Sequence, residues 1–271
     1  MLGRRRMEIY STGGYSSLSE IDGLAEPIER LLVHGSFLND MPMSKLPDAC
    51  RPQAYELFAE QLPIIETTAG LLNAAIAISM HALDDVEPGA IDEQLQDLVH
   101  RVSSRVRSQS SEAMLAHFHD VLFDEEGFQG NSEDYYNPLN SYLSTVLELK
   151  RGIPISLSLI YKVIGERVGL EIEGVNSPGH FVCRVMTADG WMIVDPYVGG
   201  GVLTAEEAFQ RMEHVTGRPV PRTPEYLAPA THSQWLSRML VNLQHIFATN
   251  ECRSDLAAMS ELQSLLDYSV Y

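Results

Sequence analysis

A chain of 271 residues is long enough for one large domain, or one domain with an appendage. Apolar residues make up 45% and charged residues 21%, which is globular composition, and 37 acidic against 19 basic residues give a formal charge of −18 that repels the backbone of DNA or RNA. The longest apolar run, Leu71 to Met80 broken by Asn73 and Ser79, is about half of the roughly 20 residues a membrane span needs, so neither a membrane nor nucleic acid is an expected partner.

Arg4, Arg5 and Arg6 give a basic start, but polar residues follow where a secretory signal needs a run of roughly 7 to 15 apolar residues. Residues 1–50 show no sustained period and read as loosely structured, apart from a helix over Glu20 to Val33 broken at Pro27. From Ala54 to about Leu83, apolar residues at helical spacing predict one or two core helices with a break at Pro63. A second helical stretch runs from Ile91 to Leu122, with Gln109-Ser110-Ser111 as an interruption, and the two glycines of Phe123 to Asn131 stop it. Cys50, Cys183 and Cys252 are widely spaced, with no metal-binding spacing, which fits reduced thiols in the cytoplasm.

Pro138 to Lys150 reads as a short helix. Gly152-Ile153-Pro154 punctuates it, with Pro154 suited to the first position of a buried helix over Ile155 to Val168. Three strands follow, Glu171 to Val175, His180 to Met186 and Trp191 to Val194, with Ala188-Asp189-Gly190 as the turn before the last. Helices followed by strands predict an α+β layer. Leu147, Leu157, Ile160, Tyr161, Ile164, Val182 and Val194 are the expected core between the central helix and the sheet. Residues 215–232 hold four prolines and read as a linker, and Ser233 to Thr249 and Asp255 to Leu266 as two amphipathic helices. The division is therefore 1–50, a domain at 51–214, the linker 215–232 and a helical tail at 233–271.

The segments LFDEEGFQGN, NSYLSTVLELKRGIPISLSLIYKVIGERVGL, NSPGHFVCRV and WMIVDPYVGG together resemble the SirB-type branch of the transglutaminase-like superfamily, a family of bacterial proteins whose core also recurs inside a eukaryotic F-box protein. The resemblance covers roughly 80 residues in order. It implies a papain-like fold with a central helix on an antiparallel sheet, and a tail that looks like the start of tetratricopeptide-like helices. It also implies a site: in active members a nucleophilic Cys stands at the N-terminus of the central helix, a His on the next strand and an Asp on the strand after. A helix N-terminus stabilises thiolate, and an Asp-oriented imidazole supplies the base.

His180 and Asp195 occupy the His and Asp positions of that pattern, and the turn between their strands would set them side by side. The nucleophile departs from it. The Cys position falls at about Pro154, and Cys183, three residues from His180 along a strand, points to the opposite face. The nearest hydroxyls are Ser156 and Ser158. A helix dipole contributes about 0.3–1 kcal/mol at an exposed terminus, less than the roughly 1.4 kcal/mol of one pKa unit, so Ser156 would depend wholly on His180 as general base, as in a Ser-His-Asp triad. Its alternative role is to bond free backbone N–H groups in the first helical turn.

His117 and His119, two apart on a helix, diverge by roughly 200° and make no metal pair. Glu125 and Glu126 read as a solvated charge pair at a helix end, although they could bind a cation or a partner amine. Tyr135, Tyr136 and Tyr142 line either a peptide groove or the packing around the Gly152-Ile153-Pro154 turn. No cofactor or metal site is expected. The leading reading is a transglutaminase/protease-like protein without the usual nucleophilic cysteine, binding a peptide or protein segment beside His180. The alternatives are an active hydrolase or acyltransferase using Ser156, His180 and Asp195, and a regulatory scaffold.

Overall fold

A computed structural model describes residues 46–108 and 110–269; the helix expected over Glu20 to Val33, and all of the region 1–50 except 46–50, lie outside them. Helix α1 (Pro52–Gln61) has proline in its first turn and passes into a short 3-10 turn, Leu62–Ile64, around Pro63, which is the expected break. Helix α2 (Thr68–Ala82) starts where the Thr67 hydroxyl accepts the Gly70 N–H. A Cβ on Gly70 would lie 2.3 Å from the Ile64 carbonyl oxygen, so only glycine allows the two helices to meet this closely.

The long helical stretch divides into α3 (Pro88–Ser103) and α4 (Ser111–His119), the second capped by Ser110. The helix runs past Leu122 through a π-helical turn, Asp120–Glu125, and ends before Gly127, which has φ +72° and is one of the two glycines expected to stop it. Strand β1 (Gln129–Gly130) pairs in parallel with β2 (Arg151–Gly152). Between them a 3-10 turn, Pro138–Ser141, leads into α5 (Leu143–Leu149), so the helix expected from Pro138 to Lys150 is two pieces.

Helix α6 (Pro154–Arg167) is the centre of the molecule, with Pro154 in its first turn and every residue from Pro154 to Gly165 buried. Its apolar surroundings hold the large core of the described residues, shared by α1–α6, one face of the sheet and the last two helices. Strands β3 (Ile172–Ser177), β4 (His180–Thr187), β5 (Gly190–Asp195) and β6 (Gly201–Leu203) form an antiparallel meander in that order. Alternation along β4 sends Phe181, Cys183 and Val185 into the core. Val182 is buried too, but alternation puts it with His180 on the other face, so it is not shared with α6 as expected. That other face carries Ile193 and Leu203, which pack against Ala208, Phe209 and Met212 of α7 (Ala205–Thr216).

Residues after Thr216 run across the surface through a 3-10 turn, Pro224–Leu227, and rejoin the sheet where the Ala230 N–H donates to the Gly174 carbonyl. Helices α8 (His232–Thr249) and α9 (Arg253–Ser269) follow. Trp235 of α8 is fully buried, 4.5 Å from Phe181 between ring centres, and its indole N–H donates to the Ile155 carbonyl. At the far side, the Glu261 carboxylate of α9 accepts the backbone N–H groups of Asp48, Ala49 and Cys50 at 2.8–3.3 Å. No helix among the described residues is long and apolar enough to cross a membrane.

Candidate functional site

The β3–β4 hairpin closes on Pro178-Gly179, with Ser177 opposite His180. Gly179 has φ +68°, a backbone conformation that glycine adopts at least cost, and a Cβ there would lie 2.9 Å from Val215. This places His180 at the first position of β4, beside α7. Asp195 ends β5 and caps the 3-10 turn Pro196–Val198, its Oδ1 accepting the Tyr197 N–H at 3.0 Å. Its Oδ2 accepts His180 Nε2–H at 2.8 Å and Arg211 Nη1–H at 2.5 Å. Asp195 is fully buried and His180 nearly so, whereas Arg211 of α7 is half-buried. Three donors satisfy the carboxylate, one of them a guanidinium that balances its charge inside the protein. The bond to Nε2 leaves Nδ1 as the nitrogen facing outward from the pair, and it has no hydrogen-bond partner among the described residues.

Ser156 is elsewhere. Its Oγ is completely buried, accepts the Ile153 N–H at 3.2 Å and donates to the Asn140 carbonyl at 2.6 Å, with the Ile153 carbonyl at 3.1 Å. This is the first-turn role, in which the Ser156 hydroxyl alone satisfies backbone groups at the start of α6. The Asn140 side chain continues the link, donating to the carbonyls of Asp134 and Tyr135 and accepting from Asn131 Nδ2. Thus the structure brings His180 and Asp195 together, and gives Ser156 no hydrogen bond to either. Ser158 Oγ is buried with no hydrogen bond among the described residues.

Cys183 faces α6, away from His180: its Sγ lies 3.6 Å from the Ser158 carbonyl, and burial pushes the thiol up to about 12. Cys50 is likewise pushed up to about 12, by burial and by the nearby Glu261 carboxylate. Neither is poised to form thiolate near neutral pH.

The other candidates fall to structural roles. His119 Nε2 meets the Tyr161 hydroxyl at 2.7 Å among Phe118 and Phe123, and burial lowers its pKa to about 4; His117 sits 3.9 Å from Asp120. Glu125 and Glu126 are bound by Arg101, and further by Arg105 and Lys150. Tyr142 is completely buried in the core and lines no groove. Tyr135 and Tyr136 are half-buried, edge to face at 5.3 Å. Among the described residues, no group of three or more His, Cys, Asp or Glu side chains is arranged to hold a metal.

Sequence reasoning missed Tyr197, whose ring stands edge-on to His180 at 6.0 Å and to Tyr135 at 6.2 Å. The same ring packs over Gly130, where a Cβ would be 2.3 Å away, and walls an open pocket of about 460 Å³ formed with Phe123, Asp124, Phe128, Gln129 and Val198. Its place two residues after Asp195 was the available signal. Arg211, 16 residues beyond Asp195 on an unread helix, had none.

Residues 89–241 match a sequence model described as the transglutaminase-like superfamily. A UPF0162 protein of Xylella fastidiosa is 36% identical over 197 residues, covering 71% of this chain and 70% of that protein. A UPF0162 protein of Pseudomonas aeruginosa is 26% identical over 199 residues, covering 73% and 71%. Human F-box only protein 21 is 37% identical over 131 residues, which are 45% of this chain and 20% of that protein. No solved structure matches.

Proposed function

This chain belongs to the transglutaminase-like superfamily, and from that premise we propose that it is a member without a working nucleophile, which binds a peptide or protein segment in the cleft beside His180 and Tyr197. One observation carries the reading. His180 and Asp195 keep the base-and-orienter geometry at 2.8 Å, while the hydroxyl and thiol of the central region are spent elsewhere, Ser156 on the α6 cap and Cys183 behind the sheet. Within this reading the chain is a SirB-type protein of papain-like fold, its α8–α9 pair is tetratricopeptide-like, and its three cysteines, none of them in a disulfide, fit a cytoplasmic setting.

The second reading, a Ser156-His180-Asp195 hydrolase or acyltransferase, draws on the same 2.8 Å pair and needs Ser156 to leave its cap. The deciding experiment treats the full chain with fluorophosphonate and iodoacetamide probes, alongside peptide selection and affinity measurement on wild type and His180→Ala. The expected result is no adduct on Ser156 or Cys183, and selected peptides that lose at least roughly tenfold in affinity for His180→Ala, the effect of about 1.4 kcal/mol. A fluorophosphonate adduct on Ser156 that vanishes in His180→Ala would overturn the binding reading in favour of the hydrolase.

A further inference from the structure

In a chain of net charge −18, the half-buried arginines outside α8 all lie against carboxylates: Arg51 on Asp84, Arg101 and Arg105 on Glu125, Arg184 on Glu173 and Arg211 on Asp195. Arg238, half-buried on α8, does not. Among the described residues its one hydrogen bond runs from Nη1 to Asn176 Oδ1 at 2.9 Å, and the one titratable group in electrostatic reach is Tyr135. Burial draws its pKa down from the ordinary arginine value. A guanidinium offers five N–H donors in a planar fork that fits a carboxylate with two parallel bonds, and here most of that fork is unused. Taking such a group out of water without a counter-charge is costly, so the position calls for an anion that the described chain does not supply.

The surroundings say where that anion would sit. Asn176 pairs with Phe181 and so lies on the face of the sheet opposite to Ser177 and His180, at the end of the β3–β4 hairpin where the two faces meet. His180 stands 6.0 Å from Tyr197, Tyr197 stands 6.2 Å from Tyr135, and Tyr135 is within electrostatic reach of Arg238, so the side chains run as an arc around one end of the β3–β4 hairpin. Neither the Tyr135 nor the Tyr197 hydroxyl makes a hydrogen bond among the described residues. Burial pushes Tyr135 up to about 12 and raises Tyr197, so both keep their protons and remain donors near neutral pH. These side chains therefore gather a cation and two O–H donors; the carboxylate beside them, Asp195, which also raises Tyr197, is already satisfied by His180, Arg211 and the Tyr197 N–H.

We propose that this arc is a carboxylate-binding subsite of the cleft, in which the Arg238 fork, supported by the Tyr135 and Tyr197 hydroxyls, takes a carboxylate of the bound peptide, either its chain terminus or an Asp or Glu side chain. The inference rests on the peptide-binding reading above and gives that ligand a chemistry. It also makes α8, from beyond the surface-crossing segment, a determinant of specificity. The overall negative charge opposes an acidic ligand at long range, so binding is to be read near 0.15 M salt, where the Debye length is about 8 Å.

The test is an NMR titration of the full chain, following the Arg238 Nε–H, His180, Tyr135 and Tyr197 signals. The probes are acetyl-pentaglycine with a free C-terminus, its amide, and amide-ended pentapeptides carrying a central Glu or Gln, with sodium acetate as the minimal carboxylate. At least one carboxylate peptide should bind about tenfold or more tightly than its uncharged counterpart, as charge-assisted bidentate bonds imply; which one it is separates the terminal from the side-chain source. Arg238→Gln should abolish that difference and Arg238→Lys retain a part of it. Should Arg238→Gln fail to fold, the loss of selectivity in Arg238→Lys decides. Equal binding of acid and amide, or selectivity that survives Arg238→Gln, would overturn the subsite while leaving the peptide cleft standing. Acetate shifting the Arg238 signals with no peptide binding would keep the subsite as a carboxylate site and end the peptide reading. Silence from every probe, acetate included, would overturn the proposal.

Discussion

Replacing Ser156 by alanine separates a capping serine from a nucleophile. The substitution removes an Oγ that accepts the Ile153 N–H and donates to the Asn140 carbonyl, all within the buried start of α6. After it, the Ile153 N–H keeps only a long 3.4 Å approach to the Asn140 carbonyl, and that carbonyl loses its short partner. Leaving buried backbone groups without good partners costs about 1–3 kcal/mol, and two such groups sharing one weak bond put the expected loss near ~2 kcal/mol. For a chain of this size each kcal/mol moves the melting temperature by about 2–4 °C, so Ser156→Ala should melt about 4–8 °C below wild type. Scanning calorimetry with a urea melt provides the measurement. Ser158→Ala is the internal control: its hydroxyl is buried without a hydrogen bond, so its removal should stay within about 0.5 kcal/mol of wild type. If Ser156→Ala melts with the wild type, the cap is not what Ser156 is for.

Other expectations are as direct. Leu157 is 2% exposed in the core, and Leu157→Ala should lose roughly 2–5 kcal/mol; a loss under about 1 kcal/mol in denaturant melts would mean that the helix faces the wrong way. Thiol labelling of the native chain should reach Cys252 first, with Cys50 and Cys183 reacting only on unfolding; Cys183 labelling as fast as Cys252 would show that β4 is turned about its axis. His119 has a folded pKa near 4 against an unfolded value of about 6.5, so the unfolded chain takes up the proton first as pH falls. The stability held by its neutral ring is whole above about pH 6.5 and is lost progressively from there down to about pH 4. A pH series of melts on wild type and His119→Gln checks this, and equal slopes for the two chains across that window would refute it.

Much of the fold was readable because strong local signals agreed with it. Pro154 at the head of an unbroken apolar run marks α6, and the Ala188-Asp189-Gly190 turn marks the β4–β5 hairpin. Helix α7 went unread although Thr204 and Glu207 stand at the spacing of a capping box, which the structure forms; three-residue β6 before it offered too short a pattern to reveal the sheet's fourth strand. The π-turn at Asp120–Glu125 has no sequence signature, since it records how α4 meets its neighbours. At the site, His180 and Asp195 were legible from their motifs. Arg211 and Arg238 were not, because they reach the sheet from helices that only tertiary packing brings there, Arg238 across 62 positions from Asn176.

The hold of Glu261 on the N–H groups of Asp48 to Cys50 has a kinetic meaning. It joins positions 211–213 apart, the most distant sequence separation among the hydrogen bonds cited above. Closing a loop of that length in an unstructured chain costs entropy that three bonds at the rim of the core do not return, so the clasp has no part in an early nucleus. It forms once α6, the sheet and α8 have already drawn the two segments together. By the same logic it is among the first contacts to let go, and the N–H groups of residues 48–50 serve as a natural reporter of partial opening, exchanging with solvent whenever α9 lifts from α1 while the centre stays folded.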